Sequence, residues 1–102
     1  MKIINTAEFD EMIKSGVTFI DFFADWCGPC KMLGPVVEEV ANEYPDIEFA
    51  KVNVDDNMDL AERFQIMSIP QVYMFRDGEV IGKFGGAKDI TGVRAFIEET
   101  TK

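Results

Sequence analysis

Hydrophobic positions along this chain repeat with two different periods, and their alternation predicts the order of its secondary structure. Val17–Phe23 is apolar on both of its faces, which is typical of a buried central strand in a mainly parallel sheet. Four further stretches are short or partly alternating, as strands often are. They are residues 2–5, 47–54, 71–75 and 79–84. Between the last two stands Arg76-Asp77-Gly78, which favours a hairpin.

Helical spacing of apolar residues predicts four helices between these strands. The longest helix begins around Pro29 and contains Pro35, which predicts a kink. Its apolar positions are 33, 36, 37, 40, 41 and 44. The other three are expected after Asn5, after Asp56 or Asn57, and over Ile90–Thr100. The order of the elements predicts an α/β protein, in which four helices flank a mixed five-stranded sheet on both faces.

The length of the chain supports one hydrophobic core. A chain of 102 residues leaves no room for a second domain, so we expect a single domain over residues 1–102. No apolar stretch approaches the roughly 20 residues that a membrane span requires. The apolar part of residues 1–5 is too short for a signal peptide, so we expect a cytoplasmic protein.

Acidic residues outnumber basic ones, and this excess limits the possible partners. The net charge is −9, from 19 acids and 10 bases. Nucleic acids and anionic membranes attract basic surfaces, so neither is an expected partner. Solubility is the simplest explanation of the charge, and long-range steering of partners is another.

Cys27 and Cys30 are the only cysteines, and their spacing is compatible with a metal site, a structural disulfide that staples the fold, or a redox pair. A structural zinc site usually needs four thiolate or imidazole ligands, and the chain has no histidine, so no metal is expected within one chain; a zinc ion or cluster shared between two chains is the alternative. A staple would close a loop of only Gly28 and Pro29, and so short a loop gives little stabilisation. In a reducing compartment, a Cys-x-x-Cys pair instead favours redox chemistry.

The predicted long helix places the cysteine pair where a reactive thiolate is stabilised. Pro29 suits the first helical turn, so Cys27 lies at the helix N-terminus and Cys30 lies one turn further. Residues three apart share a helix face, which allows a Cys27–Cys30 disulfide. The free amides and the positive dipole at this end of the helix are expected to stabilise a thiolate at Cys27. We therefore expect Cys27 to be the nucleophile and Cys30 the resolving thiol.

Four ordered motifs make the whole chain resemble the thioredoxin family. They are residues 21–32 (DFFADWCGPCKM), 51–55 (KVNVD), 66–70 (IMSIP) and 84–87 (FGGA). The resemblance implies the thioredoxin fold and a protein disulfide reductase that needs no bound cofactor. It further implies a monomer whose partners are thioredoxin reductase and oxidised client proteins. Two alternatives remain: a thiol oxidant or isomerase of the same fold, and a non-enzymatic subunit of another enzyme.

Asp21 is a carboxylate within an apolar strand, where an ionised group is costly. The pattern alone allows either a buried base or a strand-end residue that reaches solvent. The resemblance implies a general base that takes the proton of Cys30. It also implies that Lys51, on the neighbouring strand, is the cation that tunes Asp21. An ordinary surface lysine is the alternative for Lys51.

The resemblance also implies a cis bond between Ile69 and Pro70, next to the cysteine pair. An extended client segment could then pair with the Ile69 backbone, as in strand addition. The residues of the implied client-docking patch are Trp26, Gly28, Pro29, Ile69, Pro70 and Gly86. For Trp26 alone, a partly buried packing role is the alternative, and the two roles are compatible. Three positions near this patch depart from the family pattern, namely Phe23, Gln71 and Gly85.

Overall fold

The computed structural model describes residues 1–102 and places one five-stranded sheet between two pairs of helices. The strands are β1 (Lys2–Ile3), β2 (Val17–Phe23), β3 (Ile47–Asn53), β4 (Gln71–Arg76) and β5 (Glu79–Gly85). The helices are α1 (Thr6–Met12), α2 (Gly28–Ala41), α3 (Met58–Arg63) and α4 (Ile90–Thr100). The predicted fold class and element order are confirmed.

Most predicted boundaries hold to within one or two residues, and β1 shows why the ends shift. This strand ends two residues earlier than predicted, because Asn5 begins α1 instead of continuing the strand. The Asn5 side chain accepts a hydrogen bond from the Glu8 amide at 2.9 Å, and the Glu8 carboxylate accepts one from the Asn5 amide at 3.0 Å. This capping box satisfies amides that the first turn of a helix leaves unpaired.

The sheet has the spatial order β1-β3-β2-β4-β5, with β2 in the middle. β1, β3 and β2 run parallel to one another, β4 runs antiparallel to β2, and β5 runs antiparallel to β4. The pair of β4 and β5 is the predicted hairpin, and Asp77 and Gly78 at its turn both have positive φ. Parallel strands end at one edge of the sheet, so the loop after β2 and the start of α2 lie beside the segment after β3.

Side chains of β2 alternate between two cores. Ile20 and Phe22 belong to the core under α1 and α3, which also contains Phe9 of α1 and Leu60 of α3. Phe19 packs with α2 and α4, and Phe23 belongs to a small cluster around the two cysteines. Since residues two apart in a strand share a face, Asp21 lies on the α2 face, between Phe19 and Phe23.

Candidate active site

Cys27 and Cys30 lie at the N-terminus of α2 and are joined by a disulfide bond, as the sequence predicts. Cys27 is the N-cap residue, and the Cys30 amide donates a hydrogen bond to its Sγ at 3.2 Å. Pro29 lies in the first turn, where its missing amide hydrogen leaves no bond unmade. Each cysteine is only 4% exposed. An amide directed at sulfur and the positive end of the helix both stabilise a thiolate at Cys27.

The segment before β4 forms the opposite wall of the site. The Ile69–Pro70 peptide bond is cis, which confirms the prediction from the resemblance. The Ile69 carbonyl oxygen lies 3.6 Å from the Sγ of Cys27. Ile69 is half-buried and Pro70 is buried, so Pro70 shapes this wall from beneath and offers little surface of its own. The backbone of Ile69 is therefore the part of this segment that faces the disulfide.

Gly86 completes the wall on the side of β5. Its amide donates a hydrogen bond to the Pro70 carbonyl at 2.9 Å, which joins the two loops. Its φ of +83° suits glycine, and a Cβ there would meet no atom within 4 Å, so the outer side of this turn is open. Gly28 and Pro29 are also exposed. The site is thus an open surface around a nearly buried disulfide.

Trp26 stands at the edge of this surface and is 71% exposed. The alternative of a partly buried packing residue is therefore wrong. Its indole Nε1 donates a hydrogen bond to the Asp55 carboxylate at 2.9 Å, which fixes the ring beside the disulfide. A cavity of about 460 Å³ opens between Trp26 and Ile69. Exposed methionines, Met58 and Met67, line its far side, so the apolar surface continues beyond the cysteine pair.

Asp21 is fully buried, so the alternative in which it reaches solvent is wrong. Neither of its carboxylate oxygens accepts a hydrogen bond within the protein. Burial disfavours the charged form and raises the pKa of Asp21 to about 7, while the positive charge of Lys51 opposes the rise. A carboxyl group with a pKa near neutrality can both accept and release a proton under cellular conditions.

Lys51 lies opposite Asp21 in the parallel register of β2 and β3. Its Nζ is 4.3 Å from the centroid of the Phe23 ring, and no salt bridge joins it to Asp21. The same Nζ lies 3.5 Å from where a Cβ of Gly34 would be. Gly34 is one turn beyond Cys30 on α2, so the ammonium group lies under the helix that carries the cysteines. The structure thus brings Lys51, Asp21 and the dithiol to one face of the sheet.

Three contributors to the site lie outside the set predicted from the sequence. Asp55 holds the Trp26 indole, and no local pattern distinguishes it from the other surface acids. Gly34 lies beside the Lys51 ammonium, 3.5 Å from where a Cβ would be, and a glycine within a helical pattern is a sequence signal for such a position. Gln71 donates a hydrogen bond from Nε2 to the Phe84 carbonyl at 3.1 Å, near the Gly86 turn. Its departure from the family pattern was the only signal.

These features define a thiol–disulfide oxidoreductase: a disulfide at a helix N-terminus, an open surface around it and a buried carboxyl group behind it. The family model for thioredoxin matches residues 1–99. Thioredoxin from Chlamydia pneumoniae is 44% identical over 89 residues, which cover 87% of each chain. Thioredoxin from Staphylococcus saprophyticus is 41% identical, over 94% of this chain and 93% of that relative.

Solved structures agree with the sequence relatives. The thioredoxin of Fasciola hepatica has a TM-score of 0.89 and 36% identity, over 98% of this chain and 99% of that one. That of Plasmodium falciparum has a TM-score of 0.91 and 35% identity, over 97% and 98%. The chain belongs to the thioredoxin family. It is a protein disulfide reductase that works by dithiol–disulfide exchange at Cys27 and Cys30 through a mixed disulfide.

Proposed function

We propose that Cys27 attacks the client and that Cys30 resolves the intermediate. The Cys27 thiolate attacks one sulfur of a client disulfide, forms a mixed disulfide and releases the first client thiolate. The Cys30 thiolate then attacks the Cys27 Sγ and releases the second client thiolate. Two electrons pass to the client, and the Cys27–Cys30 disulfide remains. The observation that carries this assignment is the N-cap position of Cys27, where its sulfur accepts the Cys30 amide.

Asp21 is the proton acceptor for Cys30 in this proposal, directly or through water. The Cys30 thiol must lose its proton before it can attack, and it is buried, where bulk hydroxide has poor access. The nearby group suited to accept this proton is Asp21, because it lies on the face that α2 covers and its pKa is raised to about 7. Lys51 tunes that base by lowering its pKa against the effect of burial.

Clients dock on a patch of Trp26, Gly28, Pro29, Ile69 and Gly86, and the buried Pro70, also predicted for this patch, shapes it from beneath. The polar backbone of Ile69 and the open turn at Gly86 suit an extended segment that adds to the loops as a short strand. Trp26 supplies apolar contact beside it. Family membership supports thioredoxin reductase as the partner that returns electrons and oxidised proteins as the clients. The net charge of −9 gives no support to nucleic acid or an anionic membrane.

We further infer a monomeric, single-domain protein of residues 1–102 that carries electrons in the cytoplasm. The single sheet with both faces covered supports one domain. None of the helices has the length and apolar character needed to cross a membrane. The redox chemistry of the pair fits a reducing compartment, where structural disulfides are rare.

The test of this division of labour is trapping. Cys30→Ser should accumulate covalent client adducts, because the mixed disulfide forms but is not resolved. Cys27→Ser should give few adducts, and both variants should lose essentially all insulin reduction. Non-reducing gels of each variant after incubation with oxidised insulin measure the adducts, and Met32→Leu is a control near the site. Equal trapping by the two cysteine variants would contradict the assignment.

A further inference from the structure

The hydrogen-bond ladder between β4 and β5 lacks one bond at the docking surface. Val72 pairs with Phe84 in this antiparallel ladder, so Pro70 and Gly86 form the next pair that would exchange two bonds. The Gly86 amide donates to the Pro70 carbonyl at 2.9 Å. Pro70 has no amide hydrogen and cannot return a bond to Gly86. The turn at Gly86 is therefore held to the Pro70 loop by half of the usual pair.

Gln71 supplies an additional bond from its side chain, to Phe84, the last residue of β5 before Gly85 and Gly86. Its Nε2 donates to the Phe84 carbonyl at 3.1 Å, so the carboxamide reaches across from β4 to β5. This bond and the bond from Gly86 to Pro70 lie on either side of Gly85. The turn is thus fixed at both ends, although the proline removes a backbone bond.

Gly85 leaves the space that this carboxamide occupies. Gln71 and Gly85 are opposite each other in the β4–β5 register, so side chains at the two positions share one face. A Cβ at Gly85 would lie 3.4 Å from Oε1 of Gln71, which is ordinary contact. A β-branched side chain fills two of the three positions beyond this Cβ, so it has little freedom to avoid the carboxamide. A β-branched residue at position 85 is therefore expected to displace Gln71.

We propose that Gln71 and Gly85 act as one unit that positions the Gly86 turn for client docking. The inference rests on the proposed docking of clients at Ile69 and Gly86. Gln71 is a positioning residue, because it touches neither cysteine and acts through the backbone of Phe84. Its effect should be confined to clients that use the turn, namely polypeptides. A small disulfide that reaches Cys27 alone should not depend on it.

Gln71→Met removes the donor and keeps the length of the side chain. Its kcat/KM for insulin should fall about three- to tenfold, the value of one net hydrogen bond, and the change should be in KM. Its rate with the small disulfide 5,5′-dithiobis(2-nitrobenzoate) should match that of the parent, and its melting temperature should fall by only about 4–8 °C, because one intramolecular hydrogen bond is lost. An unchanged KM for insulin would overturn the proposal. So would equal slowing with both substrates, which would indicate a structural role.

A double-mutant cycle tests the pairing of the two residues. Gly85→Val should raise the KM for insulin in the parent, because valine displaces the carboxamide. In the Gln71→Thr background, the same change should have little further effect. Fully additive effects would show that the two positions are independent and would overturn the pairing.

Trp26→Ala separates this inference from the function on which it rests. It should slow the reduction of insulin more than the reduction of the small disulfide. If it does so and Gln71→Met does not, the role of Gln71 is wrong and the docking patch stands. If neither variant distinguishes insulin from the small disulfide, the docking patch itself is wrong.

Discussion

The two faces of the central sheet use the same strands but bury very different groups. The face under α1 and α3 is filled by aromatic rings. The ring centroid of Phe9 lies 5.5 Å from that of Phe75 and 5.6 Å from that of Phe64. The face under α2 and α4 contains a fully buried carboxyl group, Asp21, without a hydrogen-bond partner. Edge-to-face aromatic packing stabilises a core, whereas an unpaired buried carboxylate costs stability.

The aromatic face therefore contributes to the stability of the fold, whereas the α2 face contains a destabilising group that the proposed chemistry uses. The cysteines and Asp21 all belong to the α2 side of the sheet, and the aromatic cluster belongs to the other. A change on the aromatic face should therefore alter unfolding and leave redox chemistry alone. A change at Asp21 should do the reverse, with a gain in stability and a loss of rate.

The largest effect on stability is expected at Phe9, which is fully buried in the aromatic face. Phe9→Ala should destabilise the protein by about 3–5 kcal/mol, from lost burial and the cavity left behind. The rate of insulin reduction per folded molecule should remain within about twofold, since Phe9 is remote from the α2 face. Urea unfolding and turnover at a temperature where the variant is folded measure both values. A variant that stays folded but reduces insulin slowly would contradict the separation of the two faces.

Asp21→Asn should stabilise the protein, whereas Phe9→Ala should destabilise it. The folded pKa of Asp21 is about 7, against about 3.9 for a free aspartate, so the native state holds the proton longer than the unfolded chain. Parental stability should therefore fall as pH rises from about 4 to about 7, and the deficit should persist above that range. At pH 8 the variant should be more stable by about 1–4 kcal/mol, because the buried amide removes the charge and keeps the shape.

The same variant should resolve mixed disulfides more slowly, because Cys30 loses its proton acceptor. A loss of about tenfold or more is expected above pH 7, and the dependence of rate on the ionisation of Asp21 should disappear. Denaturant unfolding of parent and variant from pH 4 to 9, with turnover on the same samples, measures both effects. A variant that is less stable at pH 8 and fully active would mean that Asp21 is a structural carboxylate.

Much of this architecture could be predicted from the sequence, because it depends on local pattern. The apolar run of β2 and the proline after Cys27 were sufficient to place the dithiol at a helix N-terminus. The pattern could not decide whether Asp21 was buried, since that depends on α2 crossing the strand at this point. Nor could it find the contact of Gln71 with Phe84, which follows from the register of the hairpin.

The smallest expected effect is at Lys51 and tests whether the cation belongs to the chemistry of the α2 face. Lys51→Met removes the charge that lowers the pKa of Asp21, so that pKa should rise further. Less of Asp21 is then ionised at pH 7, and resolution by Cys30 should slow by about two- to fivefold. Carboxyl carbon chemical shifts of Asp21 followed through a pH titration measure the pKa directly.

The opposite side of the sheet supplies a matched control for this change. The Nζ of Lys83 lies 5.8 Å from the ring centroid of Tyr73, which belongs to the core under α1 and α3. The Nζ of Lys51 has a similar position, 4.3 Å from the ring centroid of Phe23. Lys83→Met therefore removes a lysine that also lies over a ring, but not one on the face of Asp21. It should leave the Asp21 titration and the rate unchanged. If both variants shift the titration equally, the effect is one of net charge and Lys51 has no special role. If neither shifts it, Lys51 is an ordinary strand-surface lysine, because its charge does not reach the carboxyl group that it is proposed to tune.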